Sequence, residues 1–232
     1  FEKIKEIRIK LNLSQEVFSK ILGWSKKSIV RYENSDSVPQ GEYLNTYMIL
    51  NENPYYIVKL LERQKNNFTE EEYYKILSIL PFSKVYKTVN TILYLLKNNK
   101  LCETSLMKHL FAVDFYNCKE NKEAITNLKY AHLLYGPVVD NRNILYNFLI
   151  KNDYIKIEIN DISTNFTTDK DFDKKLFTKE ELNSMKLIKY KFKEYSASEL
   201  SDWSHSFKGY IDTKNGEIID YKYAKYLDID NI

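Results

Sequence analysis

The sequence predicts a mainly α protein with a small β element, folded as an N-terminal bundle of helices followed by a larger, helix-rich α+β domain. The length of 232 residues exceeds that of a typical single domain, and a hydrophobic fraction of 44% is enough for a buried core. Apolar residues recur at helical spacing in several segments, whereas the clearest alternation typical of a strand lies in residues 154–159. We therefore expect two domains.

A short stretch near the N-terminus contains the start signals of two successive helices. Ser14 is a good N-cap, and the apolar Leu13 before it can pack onto the first turns of the helix. Gly23 suits the left-handed conformation that follows a helix end. Trp24 and Ser25 then repeat the same apolar-and-cap signal. Because only a tight turn fits between the two helices, they must cross steeply, which predicts a helix-turn-helix.

The second helix of this motif separates an inner from an outer face. Ile29, Tyr32 and Glu33 recur on the side expected to face the domain. The opposite stripe is basic and amide-rich, a composition suited to phosphate oxygens and to base edges in the major groove. The residues expected to contact DNA are Gln15, Ser25, Lys26, Lys27, Ser28, Val30, Arg31 and Asn34.

The distribution of charge agrees with a single nucleic-acid-binding module. Residues 1–34 carry eight basic and four acidic side chains, a net charge of +4, and the rest of the chain has a net charge of −1. A basic segment on a nearly neutral body is expected when one domain alone meets phosphate. Exposed helices also reach such local excesses, so charge by itself decides little.

Residues 3–55 resemble the Cro/repressor (Xre) type of helix-turn-helix. Ile4, Ile7 and Leu11 fit its first helix, and residues 43–50 fit the helix that closes the bundle. The resemblance implies a domain over residues 1–55 that binds operator DNA, with the protein as a homodimer on paired half-sites. Two positions depart from the family: Val30, often polar, and Ser35, usually glycine. The residues that carry the resemblance are Leu13, Ser14, Gln15, Glu16, Ile21, Leu22, Gly23, Ser25, Ile29, Arg31, Glu33 and Pro39.

Residues 56–81 are predicted to form a helical connector between the two domains. A charged helical stretch opens the segment, and Thr69 can cap the helix that follows it. Pro81 would then end that helix. The second domain is expected over residues 82–232.

Apolar periodicity predicts several helices in this second domain, around residues 85–96, 106–113 and 144–149. Thr178 with Glu181, and Ser196 with Glu199, have the spacing of capping boxes, which predicts two further helices. The Tyr-Gly-Pro sequence at residues 135–137 predicts a sharp loop, and residues 154–159 predict a strand.

The order of these segments over residues 82–228 resembles the Panacea domain, the SocA-like antitoxin domain. The matching pieces are LMKHLFAVDF, KYAHLLYGPVVDN, LFTKEELNSMKLI, YSASELSDWSH and GEIIDYKYA, with Tyr135-Gly136-Pro137-Val138 and Ser204-His205 as the sharpest marks. The resemblance implies an antitoxin that inhibits a cognate protein toxin by direct contact. Joined to an Xre-type domain, such a protein would also repress its own operon.

The same residues give little support for other classes of function. His109, His132 and His205 form no metal-binding motif, Cys102 and Cys118 form no C-x-x-C pair, and there is no glycine-rich phosphate loop. We therefore expect no enzyme activity, catalytic residue, metal or cofactor. No apolar run approaches the ~20 residues of a membrane span, and a cytoplasmic protein without membrane contact is expected.

The toxin contact is expected on the loop around the Gly-Pro turn, because aromatic anchors dominate such interfaces. Core packing of Tyr135 is an equally good interpretation of the same residues. A stand-alone regulator whose second domain dimerises or senses a small ligand is the alternative for the whole chain. The residues expected to bind the toxin are Tyr130, Leu134, Tyr135, Gly136, Pro137 and Val138.

Overall fold

A computed structural model describes residues 2–34, 37–54, 56–80, 83–160 and 163–230, without the side chains of residues 2–4 and 83. The chain forms two compact units, residues 1–83 and 84–232. Both are mainly helical, and the strands that the structure describes all belong to the second unit. The predicted fold class is confirmed. Among the described residues, no helix combines the length and the apolar character needed to cross a membrane.

The first unit consists of short helices. They are α1 (Glu2–Lys10), α2 (Gln15–Leu22), α3 (Lys26–Glu33), α4 (Glu42–Glu52), α5 (Tyr56–Arg63) and α6 (Glu70–Ile79), with a 3-10 turn at Lys65–Asn67. Phe18, Ile21 and Ile29 are fully buried at the centre of this unit. The Trp24 ring packs on Tyr43 and Tyr47, with ring centroids 4.5 and 5.4 Å apart, and so ties the turn after α2 to α4.

Residues 56–80 differ from the predicted connector, because α5 and α6 are part of the first unit. The α5 helix packs against α2 and α4, and its Ile57 and Leu61 are fully buried. The α6 helix buries Tyr73 and Ile76, and its end is held where the Asn12 side chain donates a hydrogen bond to the Ile79 carbonyl. The charged sequence of α5 did not predict this packing. Two apolar residues one turn apart, Ile57 and Leu61, are enough to dock a short helix.

The second unit contains six helices among its described residues. They are α7 (Ser83–Leu96), α8 (Glu103–Asn121), α9 (Arg142–Lys151), α10 (Lys179–Lys191), α11 (Ala197–His205) and α12 (Lys208–Ile211). Its strands are β1 (Leu101–Cys102), β2 (Tyr130–Leu133), β3 (Gly136–Val139), β4 (Lys156–Ile159) and β5 (Thr164–Thr167). Two 3-10 turns, Lys174–Leu176 and Tyr221–Tyr226, complete it.

These strands form two separate antiparallel pieces. The first has the order β1-β5-β4, with Leu101 and Ile157 both opposite Phe166. The second is the β2-β3 hairpin, in which Leu133 pairs with Gly136, so two residues join the strands. The predicted sharp loop is the tip of this hairpin. The other edge of β2 is also paired, because the amide of Ile219 donates to the Tyr130 carbonyl.

The second unit is built around α8. This helix packs against α10, α11, β3 and the 3-10 turn at Tyr221–Tyr226, and its middle is buried on every side. A helix surrounded in this way is expected to be apolar all round. The sequence of α8 is not, because Lys108, His109 and Asp114 are buried as well. Each of these three must therefore find a partner inside the unit.

The predicted caps agree with the structure. Ser14 accepts a hydrogen bond from the amide of Val17, and Ser25 from that of Ser28. Thr69 caps α6, and the two predicted capping boxes, Thr178 with Glu181 and Ser196 with Glu199, are both formed. The side chain of Ile4 and the residues Ser35, Pro81 and Phe82, used in the sequence analysis, lie outside the described residues.

Candidate DNA-binding face and hairpin surface

The α2 and α3 helices are joined by three residues, and each local feature of the join has a cause in the sequence. Gly23 adopts φ +71°, a left-handed conformation that a side chain disfavours, and its amide closes the last turn of α2. Ser25 then opens α3 in extended conformation. The chain therefore ends α2 and begins α3 with only three residues between them.

A buried ion pair anchors the far end of α3. The Glu33 carboxylate receives Arg8 Nε at 2.6 Å and a second guanidinium nitrogen at 2.8 Å, together with Gln15 Nε2 at 2.9 Å. Burial raises the pKa of the Glu33 carboxyl, and the hydrogen bonds from Arg8 and Gln15 outweigh this effect, so the pKa lies below its usual value. Arg8 also donates to the Leu13 carbonyl. One carboxylate thus joins α1, the start of α2 and the end of α3.

The opposite face of α3 is open. Ile29, Tyr32 and Glu33 point inward and are buried, as predicted. Lys27 and Asn34 are exposed. Two further cations have weak partners within the unit. Lys26 lies 3.7 Å from the exposed Glu16 carboxylate, and the Arg31 guanidinium lies over the Tyr32 ring at 5.1 Å.

The residues expected to contact DNA occupy different settings. Lys26, Lys27 and Arg31 lie on the exposed face of α3, with Ser28 and Val30 half-buried beside them. Ser25 is exposed, and its hydroxyl is engaged with the Ser28 amide and hydroxyl. Gln15 is half-buried, and its side-chain nitrogen donates one hydrogen bond to Glu33. Whether these groups meet DNA stays a prediction.

In the second unit, the tip of the β2-β3 hairpin is exposed, and its backbone is hydrogen-bonded to the neighbouring helices. Leu134 and Tyr135 are 75% and 68% exposed. Three carbonyls at and beside the tip accept hydrogen bonds from side chains of the surrounding helices. Tyr210 donates to Leu133 at 2.8 Å, Ser201 to Tyr135 at 3.1 Å, and Lys108 to both Tyr135 and Pro137.

The structure separates the residues predicted for the toxin contact. Tyr130 is a correction: its side chain is fully buried and donates a hydrogen bond to Asp114 at 2.8 Å, so no partner can reach it. Gly136 and Pro137 are buried, and Val138 is half-buried. Leu134 and Tyr135 remain as surface groups, and Tyr135 does not pack in the core.

Comparison with protein-family models gave two matches in this chain. Residues 4–46 match the helix-turn-helix model, and residues 106–210 match the model of the antitoxin SocA-like, Panacea domain. The chain carries a helix-turn-helix followed by a Panacea domain. A search among curated proteins and a search among solved structures gave no significant match. The two matches support a DNA-binding antitoxin or regulator in general terms, and neither model describes a family of enzymes.

The Panacea match begins inside α8 and therefore includes Lys108, which sequence reasoning missed. Its side chain is fully buried and its amine lies 2.5 Å from the Tyr135 carbonyl and 3.0 Å from the Pro137 carbonyl. Burial lowers the pKa of this amine to about 7. A lysine within an otherwise apolar helical run was the available signal, because a buried lysine requires compensating partners.

Gly136 allows the hairpin to lie this close to α8. It adopts φ +90°, and a Cβ atom added there would come within 3.0 Å of both Ser204 Oγ and Lys108 Nζ. Any side chain would therefore lift the hairpin from these two groups. The glycine of the Tyr-Gly-Pro sequence is explained by this contact.

A second buried polar group of the Panacea domain fixes the base of the hairpin. Asp114 accepts hydrogen bonds from the amide and hydroxyl of Thr126, from Tyr130 Oη at 2.8 Å and from Tyr221 Oη at 3.2 Å. Burial raises the pKa of the Asp114 carboxyl, against the effect of these donors. The aspartate thus joins α8 to the hairpin and to the C-terminal 3-10 turn.

One of the three histidines is buried beside the α8 backbone, and the other two pack against one tyrosine. His109 is buried, its Nδ1 lies 2.8 Å from the Ser105 carbonyl, and burial lowers its pKa to about 4. The His132 ring stacks on Tyr210 with centroids 3.6 Å apart. His205 packs beside the same tyrosine, and its buried Nε2 has no hydrogen-bond partner within the described part of the chain.

An open groove of about 480 Å³ runs between the hairpin tip and α11. Leu134 and Tyr135 form one wall, and His205 lies on the other. The rest of the lining comes from the start of α8 and from α11, and all of it except Ala197 is polar. These residues are Thr104, Ala197, Ser198, Ser201 and Asp202.

Proposed function

We propose that this protein is the antitoxin of a toxin–antitoxin pair, which neutralises its toxin through the Panacea domain and represses its own operon through the helix-turn-helix. The observation that carries the proposal is the pairing of an exposed basic helix face in one unit with a rigidly held, apolar hairpin tip in the other. Each surface suits one of the two partners, DNA and a protein.

The operator contact is assigned to the outer face of α3. Lys27 and Arg31 are one turn apart on it, so both can reach the same stretch of major groove. Arg31 is suited to a guanine edge, and Lys26 to a phosphate. The rigid attachment of α3 through Glu33 fixes the direction in which these side chains point. The protein binds as a homodimer, because recognition helices of this type read paired half-sites.

The toxin contact is assigned to Leu134 and Tyr135 and the groove beside them. Their side chains are exposed, and the Tyr135 backbone carbonyl is already fixed by two hydrogen-bond donors. Toxin binding would therefore have to immobilise few additional rotatable bonds of the hairpin. An open groove with an apolar rim suits a protein surface better than it suits an enclosed small ligand.

The proposal is tested with two sets of substitutions in the full chain, each with a matched control. The first set is Lys27→Ala with Arg31→Ala, compared with Lys10→Ala, an exposed lysine on α1. Binding is measured on a DNA fragment from upstream of the gene, and each change on α3 should weaken it by about 1–3 kcal/mol. Two chains should bind each operator.

The second set is Leu134→Ala with Tyr135→Ala, compared with Tyr190→Ala, which removes a tyrosine of 75% exposure on α10. Affinity for the product of the neighbouring open reading frame should fall by about 2 kcal/mol or more in the tip variant alone, and so should rescue of growth. Rescue lost in the α3 variant instead would mean that protection works through repression. A neighbouring product that is harmless to cells would contradict the antitoxin assignment and favour a ligand-sensing regulator.

A further inference from the structure

The buried Lys108 of α8 is hydrogen-bonded to the exposed tip of the hairpin. Lys108 carries no ion pair with any described residue, and both hydrogen-bond acceptors recorded for its amine are main-chain carbonyls of the hairpin. Its partners lie 27 and 29 residues along the chain, on either side of Gly136.

The geometry of these bonds bears on the tip more than on the rest of the unit. Tyr135 supplies one of the two carbonyls and also one of the two exposed side chains. Holding the carbonyl fixes the plane of the peptide that follows Tyr135, and with it the direction in which the Tyr135 side chain leaves the backbone. Ser201 donates to the same carbonyl, so α8 and α11 hold one peptide group between them.

We propose that Lys108 is a positioning residue for partner recognition, which sets the orientation of Leu134 and Tyr135 without touching the partner. This inference rests on the proposed toxin contact at the tip. The amine performs this role in both of its protonation states, because a neutral amine still has two N–H donors for two carbonyls. Burial beneath Gly136 keeps water from competing for the same carbonyls.

The chain contains a matched control for this role. Lys189 on α10 also donates to two main-chain carbonyls, those of Tyr94 and Lys97, each at 2.8 Å. Those carbonyls lie at the end of α7, away from the hairpin. Lys108→Met and Lys189→Met therefore remove the same kind of interaction, and only the first removes it from the tip.

The experiment uses the full chain, with the product of the neighbouring open reading frame as the probe. Lys108→Met should lower affinity about tenfold and speed amide hydrogen exchange at Leu134, Tyr135 and Gly136. Lys189→Met should lower the melting temperature while leaving both readouts unchanged. With Leu134→Ala and Tyr135→Ala already present, Lys108→Met should weaken binding no further, because the groups that it positions are gone. Ser201→Ala removes the other donor to the Tyr135 carbonyl. If Lys108→Met does not fold, amide exchange at Tyr135 and Gly136 in Ser201→Ala, measured without a partner, should be faster than in the wild type and tests whether the donors to this carbonyl hold the tip.

Three outcomes would overturn the positioning role. They are wild-type affinity in Lys108→Met, an equal loss in Lys189→Met, and a full additional loss in the background without the tip side chains. If the tip variant itself binds as tightly as the wild type, the proposed toxin contact fails. Hydrogen exchange of the hairpin, measured without any partner, then still decides whether Lys108 holds the tip.

Discussion

At the scale of single residues, buried polar groups of α8 explain more of the second unit than its apolar ones do. Lys108, His109 and Asp114 lie within two turns of one helix and serve three different partners: the hairpin tip, the helix backbone at Ser105, and the hairpin base. Leaving any of these groups unpaired would cost about 1–3 kcal/mol or more. Their satisfaction specifies where the hairpin must dock.

The lowered pKa of Lys108 makes the stability of the second unit depend on pH in a definite direction. The folded value is about 7 and the ordinary value is 10.5, so between these limits the unfolded chain binds more protons than the folded chain. The free energy of unfolding must therefore rise with pH in this window. Relative to Lys108→Met, the wild type should gain about 2 kcal/mol between pH 7 and pH 9.

This gain can be measured by denaturant unfolding at several pH values. The two tryptophans, Trp24 and Trp203, lie one in each unit, so a Trp24→Phe background reports the second unit alone. Lys186→Met, at an exposed site on α10, is the control and should leave the pH dependence as in the wild type. A constant difference between the wild type and Lys108→Met over this range would show that the amine stays charged in the fold.

At the scale of elements, local signals were predictable and distant pairings were not. The caps at Ser14, Ser25 and Thr69 act within three residues, so the sequence alone reveals them. The short strand β1 depends on a partner strand, β5, that lies about 64 residues further along the chain, and its two residues are too few to show an alternating pattern. The same reason hid Lys108 and the burial of Tyr130, whose partners are defined only by the folded unit.

The attachment of α3 leads to a prediction at this scale. Glu33→Ala leaves Arg8 without its buried partner and should lower the stability of the first unit by about 3 kcal/mol. Operator affinity should fall as well, although Glu33 itself faces away from the proposed DNA surface. Glu6→Ala, which removes an exposed carboxylate paired with Lys10, should change neither property measurably.

Trp24 fluorescence in a Trp203→Phe background would follow the unfolding of the first unit, and DNA binding would be measured below its melting temperature. Unchanged operator affinity in a folded Glu33→Ala protein would mean that α3 does not need this anchor.

At the scale of the whole molecule, the positive charge is concentrated in the N-terminal helices, and this concentration predicts how salt affects DNA binding. The net charge of +4 lies in residues 1–34, and the remaining residues have a net charge of −1. If Lys26 contacts a phosphate, Lys26→Ala should reduce the slope of log affinity against log salt by about one unit on every DNA sequence. Lys186→Ala in the second unit should leave the slope unchanged. Equal effects of the two substitutions would show that the second unit also meets the DNA backbone.

The closing contacts of the second unit have a consequence for how the protein is made. Tyr221 reaches back to Asp114, the Asp228 carbonyl accepts a hydrogen bond from Trp203, and the Leu227 carbonyl accepts one from Lys119. The first unit has all of its residues by position 83, so it can fold on the ribosome while translation continues. The second unit cannot complete its fold until residues 221–228 have left the ribosome. A message cut within codons 221–228 would therefore yield a complete first unit beside an open second unit.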